Sequence, residues 1–255
     1  MIFIFPSDAV RRNAIEIDFA EQADRFLKNG HCVAVINESY NSIKWLGSPG
    51  KNKAAIYRGW MMTDVQYRCM YNAVSKEGIS LITDPKQYLT CHYIKNWYEY
   101  LKDHTPRSVF FEKKQDVVEG LLPIWGRYFV KDYVKSLTTK RGSIADNIAE
   151  IHEIIDGLIE YRGAIEGGIC IREFESLIFK SERRYFVYKR NLYPRGLTGL
   201  DDIQSSLRSI QSDFYSVDIA NNLEGNYRII EIGDGQVSDL KEWNTDEFAK
   251  IFSAE

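Results

Sequence analysis

Cysteine is scarce in this 255-residue chain, with four in all, Cys32, Cys69, Cys91 and Cys170. They form no CxxC metal or redox motif and read as free thiols of a reducing, cytoplasmic compartment. Histidine is equally sparse. His31, His92, His104 and His152 are too dispersed for a metal cluster or a Ser-His or Cys-His nucleophile set, and each reads as structural. No apolar run of about 18 residues exists, so no membrane span is expected. The opening MIFIFPSD is strand-like, lacks a basic lead and breaks at Pro6, which excludes a signal peptide. An excess of positive charge is also missing. A formal charge of -3 argues against a general nucleic-acid binder, while leaving room for a local basic groove. Neither a P-loop nor a dinucleotide fingerprint is present, and there is no repeat or low-complexity tract.

What is there divides into two parts. Residues 1–108 alternate apolar runs with amphipathic ones. Strands are expected at Ile2 to Phe5, Cys32 to Ile36, Ala54 to Tyr57 and Ile79 to Ile82. Helices are expected over Ile15 to Leu27, Thr63 to Lys76 and from Asp84-Pro85 to Tyr100. That order predicts a parallel sheet covered by helices, an α/β unit. His104-Thr105-Pro106 reads as a linker. Beyond it, over 109–255, helices are expected at Lys114 to Leu122, Ser143 to Tyr161, Asp201 to Ser212 and Thr245 to Phe252. They are set among strands at Val109 to Phe111, Tyr128 to Val134, Ile169 to Phe174 and Tyr185 to Lys189, an α+β unit with an antiparallel sheet.

The stretch from Asp213 to Gln236 organises the second part. Phe214 to Ile219 and Tyr227 to Ile232 flank a polar connection, and a turn at Glu224-Gly225 sets Asp218 directly opposite Glu231, with Asp234 just beyond the strand end. Like charges placed cross-strand repel unless a cation sits between them. Either three carboxylates converge on an oxygen-loving divalent cation such as Mg2+, or Arg and Lys side chains neutralise them. Period 2 puts Arg127, Phe129, Lys131, Tyr133 and Lys135 on one face of another strand, which suits either an anion lying against it or lysines snorkelling to water. Arg172, Arg184 and Lys189 lie on neighbouring strands, although Arg184 and Lys189 face opposite ways if the strand is regular. Glu173 either accepts from a ribose or pairs with a cation. Arg58, followed by glycine at a strand end, either binds an anionic ligand or is a salt-bridged turn residue. Together these residues describe a polyphosphate held by cations on one side and carboxylate-bound metal on the other, the physics of phosphoryl transfer.

The segments YFVKDYVKS (128–136), GICIREF (168–174), ERRYFVYK (182–189), SVDIA (216–220) and RIIEIGDGQVS (228–238) resemble the ATP-grasp superfamily, in particular its branch named for two arginines and a lysine. YRGWMMTDVQY (57–67) and ITDPKQYLTCHYIKNWYEYL (82–101) resemble the pre-ATP-grasp unit of those proteins, here residues 1–108, with 109–255 as the nucleotide-binding and catalytic domain. The resemblance implies an ATP- and Mg2+-dependent ligase that joins a small-molecule or peptide carboxylate to an amine through an acylphosphate, with a kinase or a non-catalytic nucleotide-binding module as alternatives. It implies ATP contacts for Lys131, Lys135, Glu173 and Lys189, and phosphate or substrate-carboxylate contacts for Arg172 and Arg184. Asp218 and Glu231 become metal ligands, with Asp234 a candidate third, and Arg58 binds the substrate carboxylate. One departure is plain. The family's Glu-x-Asn is here Glu231-Ile-Gly233, so Asp234 or Gln236 must substitute, or coordination is poorer.

Overall fold

The computed structural model describes residues 1–37, 39, 42–46, 53–194 and 198–253. The first sheet holds β1 (Ile2–Pro6), β2 (Cys32–Ile36), β3 (Ile43–Trp45), β4 (Ala54–Tyr57) and β5 (Ser80–Leu81), ordered β3-β2-β1-β4-β5, and its three central strands β2, β1 and β4 are apolar runs with no polar alternation. β1 runs parallel to β2 and β4, and β4 to β5, while β3 is an antiparallel edge strand that sequence periodicity did not reveal. Burial on both faces is what a parallel sheet roofed by helices demands, and Phe3, Ile4 and Phe5 are fully buried. The roof includes α1 (Ala20–Lys28) and α2 (Asp64–Lys76). A reciprocal capping box starts α2, with Thr63 accepting from the Gln66 amide and Gln66 accepting in return.

The run expected to be one helix through Tyr100 is two. α3 (Pro85–His92) opens on an Asp84–Gln87 capping box, Tyr93 is extended, and α4 (Ile94–Leu101) follows. The break lets the Ile94 amide donate to the carbonyl of Tyr133 at 3.0 Å, a tertiary bond that a continuous helix would forbid.

A second sheet joins β6 (Ser108–Phe111), β7 (Tyr128–Asp132), β8 (Ile144–Ala145) and β9 (Ile169–Glu173) in the order β6-β9-β7-β8, antiparallel throughout. α5 (Ile148–Arg162) packs Ile151, Ile154, Ile155 and Leu158 against Val130, Ile169 and Ile171 of this sheet. α5 starts later than expected because Ile144 pairs with β7 and Asn147 caps the helix through the Glu150 amide. Lys114 to Leu122 forms two 3-10 turns, Lys114–Asp116 and Glu119–Leu121, instead of a helix. The extended pair Val117-Val118 separates them, a conformation that β-branched side chains favour.

The third sheet holds β10 (Arg183–Tyr188), β11 (Asn191–Tyr193), β12 (Phe214–Asn221) and β13 (Tyr227–Asp234), ordered β11-β10-β12-β13. Its strands alternate between two apolar environments. Val187, Tyr215, Val217 and Ile232 pack with Cys91 of α3, Trp97 of α4 and Leu207 of α6 (Asp201–Leu207). Phe186 and Phe214 point the other way, into a cluster with Phe3, Phe5 and Phe26 of the first part and Phe248 of α7 (Thr245–Lys250). Farther along that second face the aromatic side chains give way to Arg184, Asp218 and Glu231. The site begins where the apolar packing ends.

Candidate ATP-grasp site

The hairpin has the register that its turn predicts at the end that matters: Asp218 pairs with Glu231, and Val217 with Ile232. On the turn side the register shifts by one between Asp218 and Ile219, leaving Ile230 unpaired in a β-bulge. The carbonyl so released is captured by Arg172, whose Nη1 donates to Ile230 O at 2.8 Å while Nη2 donates to Thr105 Oγ1 at 2.5 Å. Thr105 in turn donates to Ile229 O at 2.7 Å. Arg172 is buried and pins the second sheet to the third at the linker, so its guanidinium faces backbone rather than an open cleft.

Asp218 is also buried, and cations surround it. Arg184, its cross-strand partner on β10, donates Nε to Oδ1 at 2.8 Å and Nη2 to Oδ2 at 2.7 Å. Lys241 adds a contact to Oδ2 at 2.9 Å and bridges on to Glu182. Burial alone would lower the Arg184 guanidinium, but its hydrogen bonds to Asp218 hold it above the usual value. Arg184 further donates to the Asp239 carboxylate and backbone. Lys131, buried on β7 of the second sheet, crosses to the third and donates to Glu231 Oε1 at 2.9 Å. This ion pair joins the cationic strand to the hairpin. Lys135 lies just past β7, exposed, with its amide held by Asp132 Oδ1. Among the described residues its ammonium makes no ion pair.

Asp234 does not join Asp218 and Glu231. It pairs with Tyr215 and so projects from the opposite face of the hairpin, fully buried toward the first part of the chain. Its Oδ1 accepts from the amide and Nε2 of Gln236, at 3.0 and 3.2 Å, and its Oδ2 has no partner. Burial pushes its carboxyl up from 3.8 to about 7. Gln236 is equally committed. Its Nε2 donates to Tyr67 Oη at 2.7 Å and its Oε1 accepts from the Tyr57 amide at 3.1 Å. Asparagine at 233 would not fit without movement, since a Cβ there would lie 2.9 Å from the hydroxyls of both Ser216 and Ser238.

Three further expectations fall elsewhere. Lys189 sits in the β10-β11 turn with φ of 48°, at the far end of β10 from Arg184, and is not brought to the cleft. Glu173, at the end of β9, pairs with Arg107 through two contacts of 2.6 Å, and those hydrogen bonds hold its carboxyl below the usual range. It lines a separate cavity of about 840 Å³ beside Thr105 and Arg228. Arg58 is buried and spends its donors on Gln22, Gly235 O and Ser238 O, with Phe248 beneath it at 4.6 Å. Burial pulls it down to about 9. In this arrangement Arg58 locks β4 to the loop after β13 instead of offering a free fork to a carboxylate.

A smaller cavity of about 250 Å³ opens at the edge of β13, lined by Lys135, Arg184, Glu231, Asp234, His92 and Trp60 among others. No cluster of three or more His, Cys, Asp or Glu side chains able to hold a metal exists among the described residues. Mg2+, however, is ordinarily held by one or two carboxylates together with substrate phosphates. Glu231 fits that demand, being 41% exposed with Lys131 on one oxygen only. Asp218 does not fit while Arg184 and Lys241 occupy it.

Two antiparallel sheets joined through a lysine on one and carboxylates on the other, behind an α/β unit, make the ATP-grasp architecture. Residues 99–254 match the model of the ATP-grasp domain, family 3 of the clade named for two arginines and a lysine, and the chain belongs to that family. Among solved structures it is similar to the D-cycloserine synthetase DcsG, with a TM-score of 0.65 at 11% identity over 99% of both chains. It is also similar to a RimK domain ATP-grasp protein from Sphaerobacter thermophilus, with a TM-score of 0.63 at 10% identity over 97% of this chain and 98% of that one. The ATP-grasp ligase PsnB, complexed with a minimal precursor, gives 0.60 at 11% identity over 99% of both. No curated protein matches the chain in sequence.

Proposed function

We propose that this protein is an ATP-dependent carboxylate–amine ligase that forms an amide through an acylphosphate. The observation that carries the reading is the Lys131–Glu231 contact, which joins the cationic strand to the metal-competent carboxylate across the cleft. A triphosphate entering there would take over Lys131 and Lys135 as counter-charges, and Glu231 would hold the accompanying Mg2+, whose chemistry is to neutralise charge on the transferred phosphoryl group. Asp218 acts mainly by fixing Arg184 and Lys241 at the edge of the phosphate site. It becomes a metal ligand only if those cations move onto the nucleotide. Arg184 supplies positive charge where phosphate leaves. Arg172 positions the linker, Glu173 marks the nucleoside end, and Arg58 shapes the acceptor side from within the unit of residues 1–108. The acid and amine are small molecules or peptide groups, in keeping with the synthetase and precursor-bound ligase that share the fold. Unpaired cysteines fit a cytoplasmic setting.

Saturation of Asp218 by two cations favours a second reading, a nucleotide-binding module without turnover. Product analysis separates the two. With ATP, Mg2+ and pooled acids and amines, a ligase yields ADP, phosphate and an amide. Glu231→Gln and Lys131→Met are expected to lower that rate by about 10²- to 10³-fold, the cost of losing one electrostatic contact to the transition state. ATP binding with no product from any pool would leave only the module. Unchanged rate and Mg2+ dependence in Glu231→Gln and Asp218→Asn would remove the metal assignment.

A further inference from the structure

The chemistry proposed above needs a proton acceptor. An amine that attacks an acyl carbon must shed a proton as the C–N bond forms, and none of Lys131, Lys135 or Arg184 can receive it. Of the proton acceptors that line the cavity at the edge of β13, Glu231 is paired with Lys131, Asp239 with Arg184, and Asp234 is fully buried, which leaves the imidazole of His92. His92 ends α3, is 5% exposed, and lines the same cavity as Glu231, Asp234, Lys135 and Arg184. Its ring is stacked on Tyr88, with centroids 4.8 Å apart, and tilted against Tyr93 at 5.6 Å, so its plane is fixed by two aromatic neighbours.

Behind it stands a carboxylate. Glu166 Oε1 lies 3.4 Å from His92 Nε2, and neither atom has another hydrogen-bond partner. Glu166 is itself anchored by Arg162, which also binds the buried Asp132. Asp132 holds the amides of Val134 and Lys135. One network therefore orients the imidazole and the start of the phosphate-side loop together. A carboxylate facing Nε2 keeps the proton on that nitrogen and leaves Nδ1 as the basic one. Catalytic hydrogen bonds that are long without substrate commonly tighten when the complex forms. Glu166 reaches the imidazole from another element, with Arg162 holding its Oε2 and its Oε1 facing His92 alone.

We propose that His92 is the general base of the amide-forming step, with Glu166 as its positioning residue. The proposal rests on the ligase reading. The amine lone pair attacks the acyl carbon, the C–O bond to phosphate breaks, and phosphate leaves with that electron pair. The N–H proton passes to His92, which returns it to the departing phosphate, so acylphosphate plus amine gives amide plus hydrogen phosphate.

Hydroxylamine discriminates the steps, because it is largely uncharged at neutral pH and captures acylphosphates without a strong base. The full chain is given ATP, Mg2+ and a pool of free amino acids and dipeptides, with hydroxamate and amide measured separately. His92→Gln is expected to lose amide formation by about 10²- to 10⁴-fold, the range for general-base catalysis, while hydroxamate formation is retained. Glu166→Gln is expected to show the same split with a smaller loss, and decides the matter alone if His92→Gln fails to fold. Parallel loss of both products, or amide formation that survives His92→Gln, overturns the proposal. Absence of hydroxamate from the wild-type protein overturns the ligase reading instead.

Discussion

Two aspartates of one hairpin, Asp218 and Asp234, are both buried and share almost nothing else. Asp218 lies on the cleft face, where Arg184 and Lys241 supply both its oxygens with charge-assisted hydrogen bonds. Asp234 lies on the opposite face, where only Gln236 bonds it and one oxygen has no partner. The side-chain alternation of a strand is sufficient cause: Asp234 stands three positions after Glu231, an odd step, so the two carboxylates project from opposite faces of the hairpin. Burial therefore means different things at the two positions. At Asp218 it strengthens an ionic cluster with Arg184 and Lys241. At Asp234 it works against the charge itself.

The largest contrast is expected on deleting Asp218. Asp218→Ala leaves Arg184 buried and without its bidentate partner, which ordinarily costs about 3–5 kcal/mol. Urea unfolding should show the midpoint falling with an unchanged slope. A loss under about 1 kcal/mol would mean that Asp239 and water replace the carboxylate, and that the cluster is looser than its geometry.

Asp234 should respond in the opposite direction, and only at high pH. Its carboxyl titrates near 7 in the folded chain and near 3.8 when unfolded, so the folded state binds the extra proton between those values. Stability is then complete below about pH 4, declines as pH rises, and reaches its floor above 7. Asp234→Asn keeps an acceptor for Gln236 and carries no charge. It should leave stability at pH 4 nearly unchanged and raise it at pH 8 by up to about 4 kcal/mol, since each of the roughly three pH units between those values is worth about 1.36 kcal/mol. Thermal unfolding of both proteins at the two pH values measures this. A variant equally stabilised at both would place the cause elsewhere.

Sequence periodicity was a good guide where neighbours along the chain decide the outcome. β2, β4, β12 and β13 follow from their apolar patterns, whereas Asp218 meets Glu231 because the bulge at Ile230 offsets a turn-side register that differs by one from the expected one. The fold class was legible for the same reason. What escaped depends on partners far away in sequence. The short strands β3, β8 and β11 exist only as additions to sheets that other segments build. The break at Tyr93 carries no proline or glycine and comes from a bond to Tyr133. Arg58 looked like a site residue because glycine follows it, yet its acceptors lie near residue 236. The contact between His92 and Glu166 escaped for the same reason, since Glu166 arrives on a loop after α5. The facing of Asp234 could have been read from strand parity with Glu231, a signal present in the sequence and outweighed by its nearness to the strand end.

The smallest expected effect tests whether the Asp234 side of the hairpin is held by the first sheet or only touches it. Tyr67 on α2 accepts from Gln236 Nε2 at 2.7 Å and donates to Thr83 O at 2.9 Å. Tyr67→Phe removes both bonds and keeps the ring stacked on Tyr88, with centroids 4.0 Å apart in the parent protein. The net loss should be about 1 kcal/mol, that of a neutral buried hydrogen bond. Because Gln236 still bonds Asp234 through its backbone amide, the decline of stability between pH 4 and 7 should persist in this variant. If removing the hydroxyl instead abolished that decline, the titrating proton would belong to the Tyr67–Gln236–Asp234 chain as a unit, and the contrast with Asp218 would be one of networks rather than of two single carboxylates.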